Sequence, residues 1–271
     1  MMCTEQTWFW LSHSEKRLNM KKVLITVCGR RGSKGFKNKN LKTFLDRPLV
    51  YYTLASALDF ASRSGAEVDI ALNTDSDILR DLVAAKYPEV EYVPRPRELG
   101  GDIVPKMAVF QQTLKYMESK YSKTYDYLID LDITSPLRQI DDVLNAYKMK
   151  LERDDAGLVF SACGSRRNPY FNMVKQVGDH VEKVIESPFT ARQQAPAIYD
   201  LNASIYVFDR DFLATNTTGI LWDTKCLVYL MKDTAVLDID SEEDFEMMQL
   251  IGGYLFENIE GFKAVRDKIR V

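Results

Sequence analysis

The sequence predicts an α/β fold, a Rossmann-like and mostly parallel sheet with helices on both faces. Three observations predict it. Short apolar runs rich in β-branched residues occur at 23–28, 68–72, 90–93, 125–131 and 156–162, each the length of a buried strand. Stretches of helical period separate them, as in Leu49, Tyr52, Leu54, Ala55 and Leu58 and again in Ile78, Leu82, Val83 and Ala85. A loop dense in glycine and positive charge, GRRGSKGFKNKN at 29–40, directly follows the first run, and open α/β sheets bind ligands at such strand ends.

The elements follow in order. Residues 1–19 contain Trp8-Phe9-Trp10-Leu11, an apolar run too short for a signal-peptide core and with no basic stretch before it, and another methionine follows at Met20. The domain is therefore expected over 20–271, with 1–19 as an upstream extension; an aromatic tail packed on the surface is the competing reading. Val23–Cys28 forms the first strand and 29–40 its ligand loop. Asp46-Arg47-Pro48 opens the first long helix, because proline suits a helix start. After about 156 the alternation changes. YFNMVKQVGDHVEKVIE at 170–186 reads as a two-stranded ribbon turning at Gly178-Asp179, and no long helix follows until 241–252. An excursion from the main sheet over roughly 163–195 accounts for this pattern.

Composition bounds the function. A chain of 271 residues, 46% hydrophobic, can bury the core of one large domain. Its net charge of −3 argues against nucleic-acid and membrane partners, so the positive charge at 30–39 is a local feature. The four cysteines, at 3, 28, 163 and 226, have no metal-ligand spacing and read as free thiols of a reducing, cytoplasmic location. No run approaches the roughly 20 apolar residues that a membrane span needs.

In the loop, the glycines let the backbone approach a ligand, successive N–H groups form an anion nest, and Arg30, Lys34 and Lys39 add charge. A polyphosphate fits, although neither GxxxxGK[ST] nor GxGxxG is present; a solvated basic turn is the plainer reading. Two DxD pairs, Asp130/Asp132 and Asp238/Asp240, each place two carboxylates on one face of an extended segment. Either pair suits a hard cation such as Mg²⁺. Either can equally be held by backbone N–H groups or by neighbouring Arg and Lys.

Residues 22–40 resemble the N-terminal signature of the CMP-sialic acid synthetases (acylneuraminate cytidylyltransferases), an apolar strand followed by ARxGSKGxxxKN. Gly29 stands at the alanine, while Arg30, Gly32, Ser33, Lys34, Gly35, Lys39 and Asn40 match. The resemblance continues in Asn73-Thr74-Asp75, in Arg95-Pro96-Arg97-Glu98-Leu99 and in Thr134-Ser135-Pro136-Leu137-Arg138. Further on, Arg192-Gln193, Pro196, Tyr199, Asn202 and Tyr206 follow RQDxPxxYxxNGxxY, and Asp238-Ile239-Asp240 follows the closing DIDxxxDL.

This resemblance implies a fold of the nucleotide-diphospho-sugar transferase type and a CTP-dependent cytidylyltransferase. Its reaction joins CMP to the anomeric hydroxyl of a nonulosonic, sialic-type acid and releases pyrophosphate. It implies a CTP site at Arg30, Gly32, Ser33, Lys34, Lys39, Asn40 and Arg95, with catalysis resting on Lys34, Arg30 and Asp240. Asp238 and Asp240 are implied to carry Mg²⁺ (or Mn²⁺). The sugar side is implied at Asp132, Arg192, Asn202, Tyr206 and Lys106, and the 163–195 excursion is implied to pair two subunits and help close the neighbour's sugar site.

Departures concentrate on the sugar side. Asp132 replaces the glutamine of QPTSPLR and Ile133 its first proline, Lys106 falls where a small hydroxyl residue is common, and Ala203 replaces the glycine of NGxxY. Gly219-Ile220 falls where relatives carry two aromatics, with Trp222 nearby. These departures predict an acid other than N-acetylneuraminic acid. Three rivals remain: an octulosonate cytidylyltransferase, a metal-dependent glycosyltransferase using Asp130/Asp132, and a protein that binds nucleotide without turning it over.

Overall fold

The computed structural model of the chain describes residues 20–32, 35–101 and 104–270. Its strands are β1 (Lys22–Gly29), β2 (Thr43–Phe44), β3 (Arg47–Pro48), β4 (Glu67–Thr74), β5 (Glu91–Pro94), β6 (Tyr127–Leu131), β7 (Leu158–Gly164), β8 (Val174–Val177), β9 (His180–Lys183), β10 (Tyr199–Asp209) and β11 (Cys226–Leu230). Its helices are α1 (Leu49–Arg63), α2 (Asp77–Lys86), α3 (Lys106–Tyr121), α4 (Asp142–Leu151), α5 (Arg210–Thr215), α6 (Glu242–Asn258) and α7 (Glu260–Asp267). Seven strands form one sheet in the order β11-β7-β10-β6-β1-β4-β5.

The winding locates the site. From β1 the chain steps outward through β4 and β5, then returns to pair β6 with the other edge of β1. That reversal opens a crevice at the carboxyl ends of β1 and β6, the switch point at which such sheets bind ligands. β10 alone runs antiparallel, between β6 and β7. It re-enters from the 163–195 excursion, so no helical crossover obliges it to run parallel.

The two sheet faces are covered unequally. On one, residues of β1, β6 and β7 pack against α1, α2, α4, α6 and α7. On the other, Leu24, Leu128 and Phe160 pack against Met107, Phe110 and Leu114 of α3 and Leu213 of α5. Towards its carboxyl end this second face turns polar: Thr26, Asn73 and Asp130 are buried there in place of apolar side chains. Buried polar groups require partners, and theirs belong to the site.

The ribbon forms as expected, with β8 and β9 antiparallel and Gly178 at φ +60° in the turn. Cys28, Cys163 and Cys226 are free thiols. Among the described residues, no helix is long and apolar enough to cross a membrane. The expected 1–19 extension lies outside the described residues.

Candidate active site

A cleft of about 430 Å³ opens at the switch point, lined by Arg30, Gly35, Lys39 and Asn40 of the basic loop, by Arg95 and Leu99, by Lys106 and Phe110 of α3, and by Asp132, Thr134 and Asp240. A neighbouring cavity of about 450 Å³ lies across the loop against the start of α2 and shares Arg30, Lys39 and Asn40. Asp132 and Asp240, one member of each carboxylate pair, line the first space and not the second.

One half of the cleft is built by the loop. Gly32 adopts φ +73°, a conformation that side-chain-bearing residues avoid. At Gly35 a Cβ would lie 2.7 Å from the backbone oxygen of Asp240, so only glycine lets the loop and the DID segment touch. Lys39 completes the junction: its Nζ donates to the Asp240 carboxylate at 2.7 Å and to the Ile239 carbonyl at 2.8 Å. Asn40 Nδ2 donates to the Arg30 carbonyl at 3.2 Å and shapes the loop. The expected contacts at Ser33 and Lys34 lie outside the described residues.

The NTD stretch after β4 holds this half from below, a role the sequence reading missed. Asn73 accepts from Arg95 Nε at 2.7 Å and is steered by Gln112 and Thr113 of α3. Thr74 Oγ1 donates to the Gly29 carbonyl, and Asp75 accepts from the Arg31 amide at 2.5 Å. Ser76 then caps α2 through the Leu79 amide. Gly29 and Ile133 compensate for each other, since a Cβ on Gly29 would lie 2.5 Å from Leu79 Cδ2 and 2.9 Å from Ile133 Cδ1. Ile133, fully buried, thus fills space that the family's alanine takes, and it is a core residue rather than part of the sugar wall.

The other half centres on Asp132, one residue beyond β6. Its Oδ1 accepts from the Thr134 amide at 2.8 Å and hydroxyl at 2.7 Å, and its Oδ2 accepts from Lys106 Nζ at 2.5 Å. Burial would raise this carboxyl, but Lys106 and Thr134 outweigh it and hold it below the usual carboxylate range. Burial likewise works against the Lys106 charge, and Asp132 and Asp130 more than reverse it. The Lys106 side chain is 54% exposed, so water screens part of that attraction. Lys106 therefore rebuilds in the cleft the N–H donor that a glutamine would have supplied.

Behind this pair Asp130 is 1% exposed and accepts from Thr26 Oγ1 at 2.9 Å. Burial pushes its carboxyl up to about 6, with Lys106 opposing and Asp132 reinforcing the shift. Tyr206, opposite Asp130 in the ladder, is 8% exposed and senses Lys106, Asp130 and Asp132. Its ring faces Phe160, which in turn meets Trp222 edge-on at 5.5 Å. Tyr206, Phe160 and Trp222 thus form a row of rings beside the cleft rather than among the residues that line it.

The structure places two expected sugar contacts away from the cleft of their own chain. Asn202 is 3% exposed and its amide is spent inside the protein, accepting from Ser161 Oγ at 2.6 Å and donating to Met231 Sδ at 3.3 Å. The cause is a bulged irregularity: Ala203 sits at φ +52° where the β10–β7 register shifts from Leu201↔Ala162 to Tyr206↔Phe160, and an odd number of extra residues on β10 reverses which face the preceding side chains take. Arg192 lies on the excursion, bonded to the Arg166 carbonyl, and does not line the cleft of its own chain. A third expectation concerned geometry. Asp238 and Asp240 lie in the loop before α6 rather than in a strand.

That loop is nevertheless suited to a cation. Loss of solvent and the negative charges of Asp240 and Asp132 raise the Asp238 carboxyl above its ordinary value, with Lys39 opposing. A divalent ion would relieve this repulsion, with oxygen ligands of the kind Mg²⁺ prefers. The pair Asp130/Asp132 has its charge matched by Lys106 and its oxygens bonded to Thr26 and Thr134, and Asp240 is likewise paired, with Lys39 at 2.7 Å.

A switch-point cleft with a glycine-rich basic loop at one end and a carboxylate pair facing it defines a nucleotide-binding transferase. The chain belongs to the cytidylyltransferase family: the Cytidylyltransferase family model matches residues 24–265. It is 36% identical over 232 residues to a CMP-N,N'-diacetyllegionaminic acid synthase of Campylobacter jejuni, covering 86% of this chain and 95% of that one. It is 34% identical over 232 residues, with the same two coverages, to the post-translational flagellin modification protein B of Campylobacter coli. Identity to an N-acylneuraminate cytidylyltransferase of Streptococcus agalactiae is 24% over 247 residues, 91% of this chain and 55% of that one. In fold it resembles CMP:2-keto-3-deoxy-manno-octonic acid synthetase complexed with CTP, with a TM-score of 0.61 and 13% identity over 86% of this chain and 99% of that one.

Proposed function

We propose that the protein is a CMP-nonulosonate synthetase whose acceptor is an acid of the legionaminic type rather than N-acetylneuraminic acid. The anomeric hydroxyl oxygen bonds to the α-phosphorus of CTP as the bond to the β-phosphate oxygen breaks, giving the CMP-sugar, pyrophosphate and a proton. The observation that carries this reading is the junction of the basic loop with the DID segment through Gly35, Lys39 and Asp240. It sets a triphosphate-binding loop against the carboxylates Asp238 and Asp240, which would hold Mg²⁺ or Mn²⁺.

The chain's own residues supply position and charge. Arg30 and Lys39, with Lys34 and Ser33 between them in the sequence, cradle the triphosphate. Arg95, fixed by Asn73, stands on the nucleotide side. Lys106, Asp132 and Tyr206 form the acid side, where a donor and an acceptor lie adjacent. Held by Asp238 and Asp240, a divalent cation would supply charge neutralisation at the phosphates and would lower the pKa of the attacking hydroxyl. The only histidine among the described residues, His180, is exposed on β9 between Asp179 and Glu182.

Identity to the legionaminic synthase above that to the neuraminate enzyme supports the choice of acid, as does the Asp132/Lys106 departure. A homodimer built by the 163–195 excursion is part of the proposal. Met173, Val174, Val181 and Ile185 are exposed there, and a two-stranded ribbon is too small to bury them alone. Arg192 would then serve the neighbouring cleft.

The test is pyrophosphate release with Mg²⁺, scanning four nucleoside triphosphates against legionaminic, pseudaminic, N-acetylneuraminic, deaminated and octulosonic acids. CTP with a legionaminic acid is expected to lead. A tenfold lead for N-acetylneuraminic acid, or equal use of UTP or ATP, contradicts it.

A further inference from the structure

Arg138 is among the largest fully buried side chains of the molecule, 1% exposed, and among the described residues no carboxylate pairs with it. Its guanidinium reaches three separate elements instead. NH1 donates to the Asp132 carbonyl at 3.0 Å and to the Ser204 carbonyl and hydroxyl at 3.1 and 3.0 Å, while NH2 donates to Thr53 Oγ1 of α1 at 2.7 Å. Nε has no partner. Asp132 is thereby gripped at both backbone ends, because its amide donates to the Ser204 carbonyl at 3.2 Å and Thr53 Oγ1 also donates to its carbonyl at 3.2 Å.

Burying a guanidinium is costly, a cost that Asp132, Asp142 and Asp130 offset through space, while an apolar side chain in its place would leave buried acceptors unpaired. A lysine would supply the charge but not the planar fork. What the planar fork achieves is geometric. Beyond Leu131 the β6–β10 ladder has ended and the β10–β7 register has shifted, so a single backbone bond, from the Asp132 amide to the Ser204 carbonyl, is what the sheet itself offers to hold Asp132 against β10. We propose that Arg138 is a positioning residue that clamps the end of β6 to the β10 bulge and to α1, and so sets the Asp132–Lys106 pair for the acid substrate. It acts through Asp132 and leaves the nucleotide half untouched. This rests on the cytidylyltransferase reading of the same cleft.

The test is Arg138→Met, with KM measured separately for CTP and for the acid the wild type turns over best, alongside Tm. The acid KM should rise at least tenfold while the CTP KM stays within twofold, even where loss of the buried hydrogen bonds lowers Tm. Arg138→Lys, which keeps the charge but loses the fork, should remain impaired. An unchanged acid KM, or an equal rise in both KM values with a lowered Tm, overturns the clamp. If Arg138→Met fails to fold, Thr53→Val and Ser204→Ala remove single anchors and are judged by the same KM split. A wild type inactive on every acid condemns the functional reading instead; the clamp is then judged by a crystal structure of the variant, where unmoved Asp132 and Ser204 backbones would overturn it.

Discussion

The two halves of the cleft are held in different ways. On the proposed nucleotide side the backbone sets the shape: Gly32 and Gly35 shape the loop, the Arg31 amide bonds Asp75, and Asn40 bonds the Arg30 carbonyl. On the proposed acid side the groups are side chains from separate elements, Lys106 of α3 and Asp132 beyond β6 lining the cleft and Tyr206 of β10 behind them. A backbone cradle depends on a few glycines and short spacings, so it tolerates little change and suits one constant ligand. A side-chain wall can be rebuilt by single substitutions, so it is where specificity changes.

The largest expected effect falls at the junction of the halves. Asp240→Asn should lower kcat by roughly 10²–10³, the usual scale when charge stabilisation of a transition state is lost, with the fold unchanged by circular dichroism. Chelator should abolish wild-type turnover. If Asp132→Asn proves more damaging to kcat than Asp240→Asn, the division drawn between the carboxylate pairs fails.

A medium effect comes from Asp130, whose folded carboxyl rises from 3.8 to about 6. Because the folded state holds the proton more tightly, this stabilisation is present below about pH 4 and is lost as pH rises through about 6. Two units correspond to roughly 3 kcal/mol. Asp130→Asn, which stays neutral, should flatten that part of the stability profile measured by urea unfolding between pH 4 and 7, whereas an unchanged slope would assign it to another group.

The smallest effect tests the bulge. Ala203 carries a left-handed φ of +52° at the position of the family's glycine, a strain of roughly 1–2 kcal/mol set against the unfolded-state entropy of glycine. Ala203→Gly should gain up to about 1 kcal/mol, or about 2–4 °C in Tm, with the CTP KM unchanged.

The same contrast explains what the sequence made legible. The fold, the ribbon turn at Gly178 and the loop at 29–40 were readable because apolar period, turn chemistry and a contiguous motif are local properties. Asn202 entered the sugar side only through a motif match, and the register shift between it and Tyr206, which accompanies the burial of its amide, is invisible until the strand pairing is seen. Gly35 could be recognised as a glycine that matters, but not as the one that meets Asp240, 205 positions away. Arg138 matched a motif yet showed no role, since its acceptors are backbone carbonyls and hydroxyls, two of the three residues that supply them being distant in sequence.

The separation of the halves is tested most directly by the two KM values of Asp132→Asn. The substitution removes the charge that holds Lys106, so the acid KM should rise about tenfold or more, equivalent to about 1.4 kcal/mol, while the CTP KM stays within twofold of the wild type. An equal rise in both KM values, or a rise in the CTP KM alone, would contradict the account.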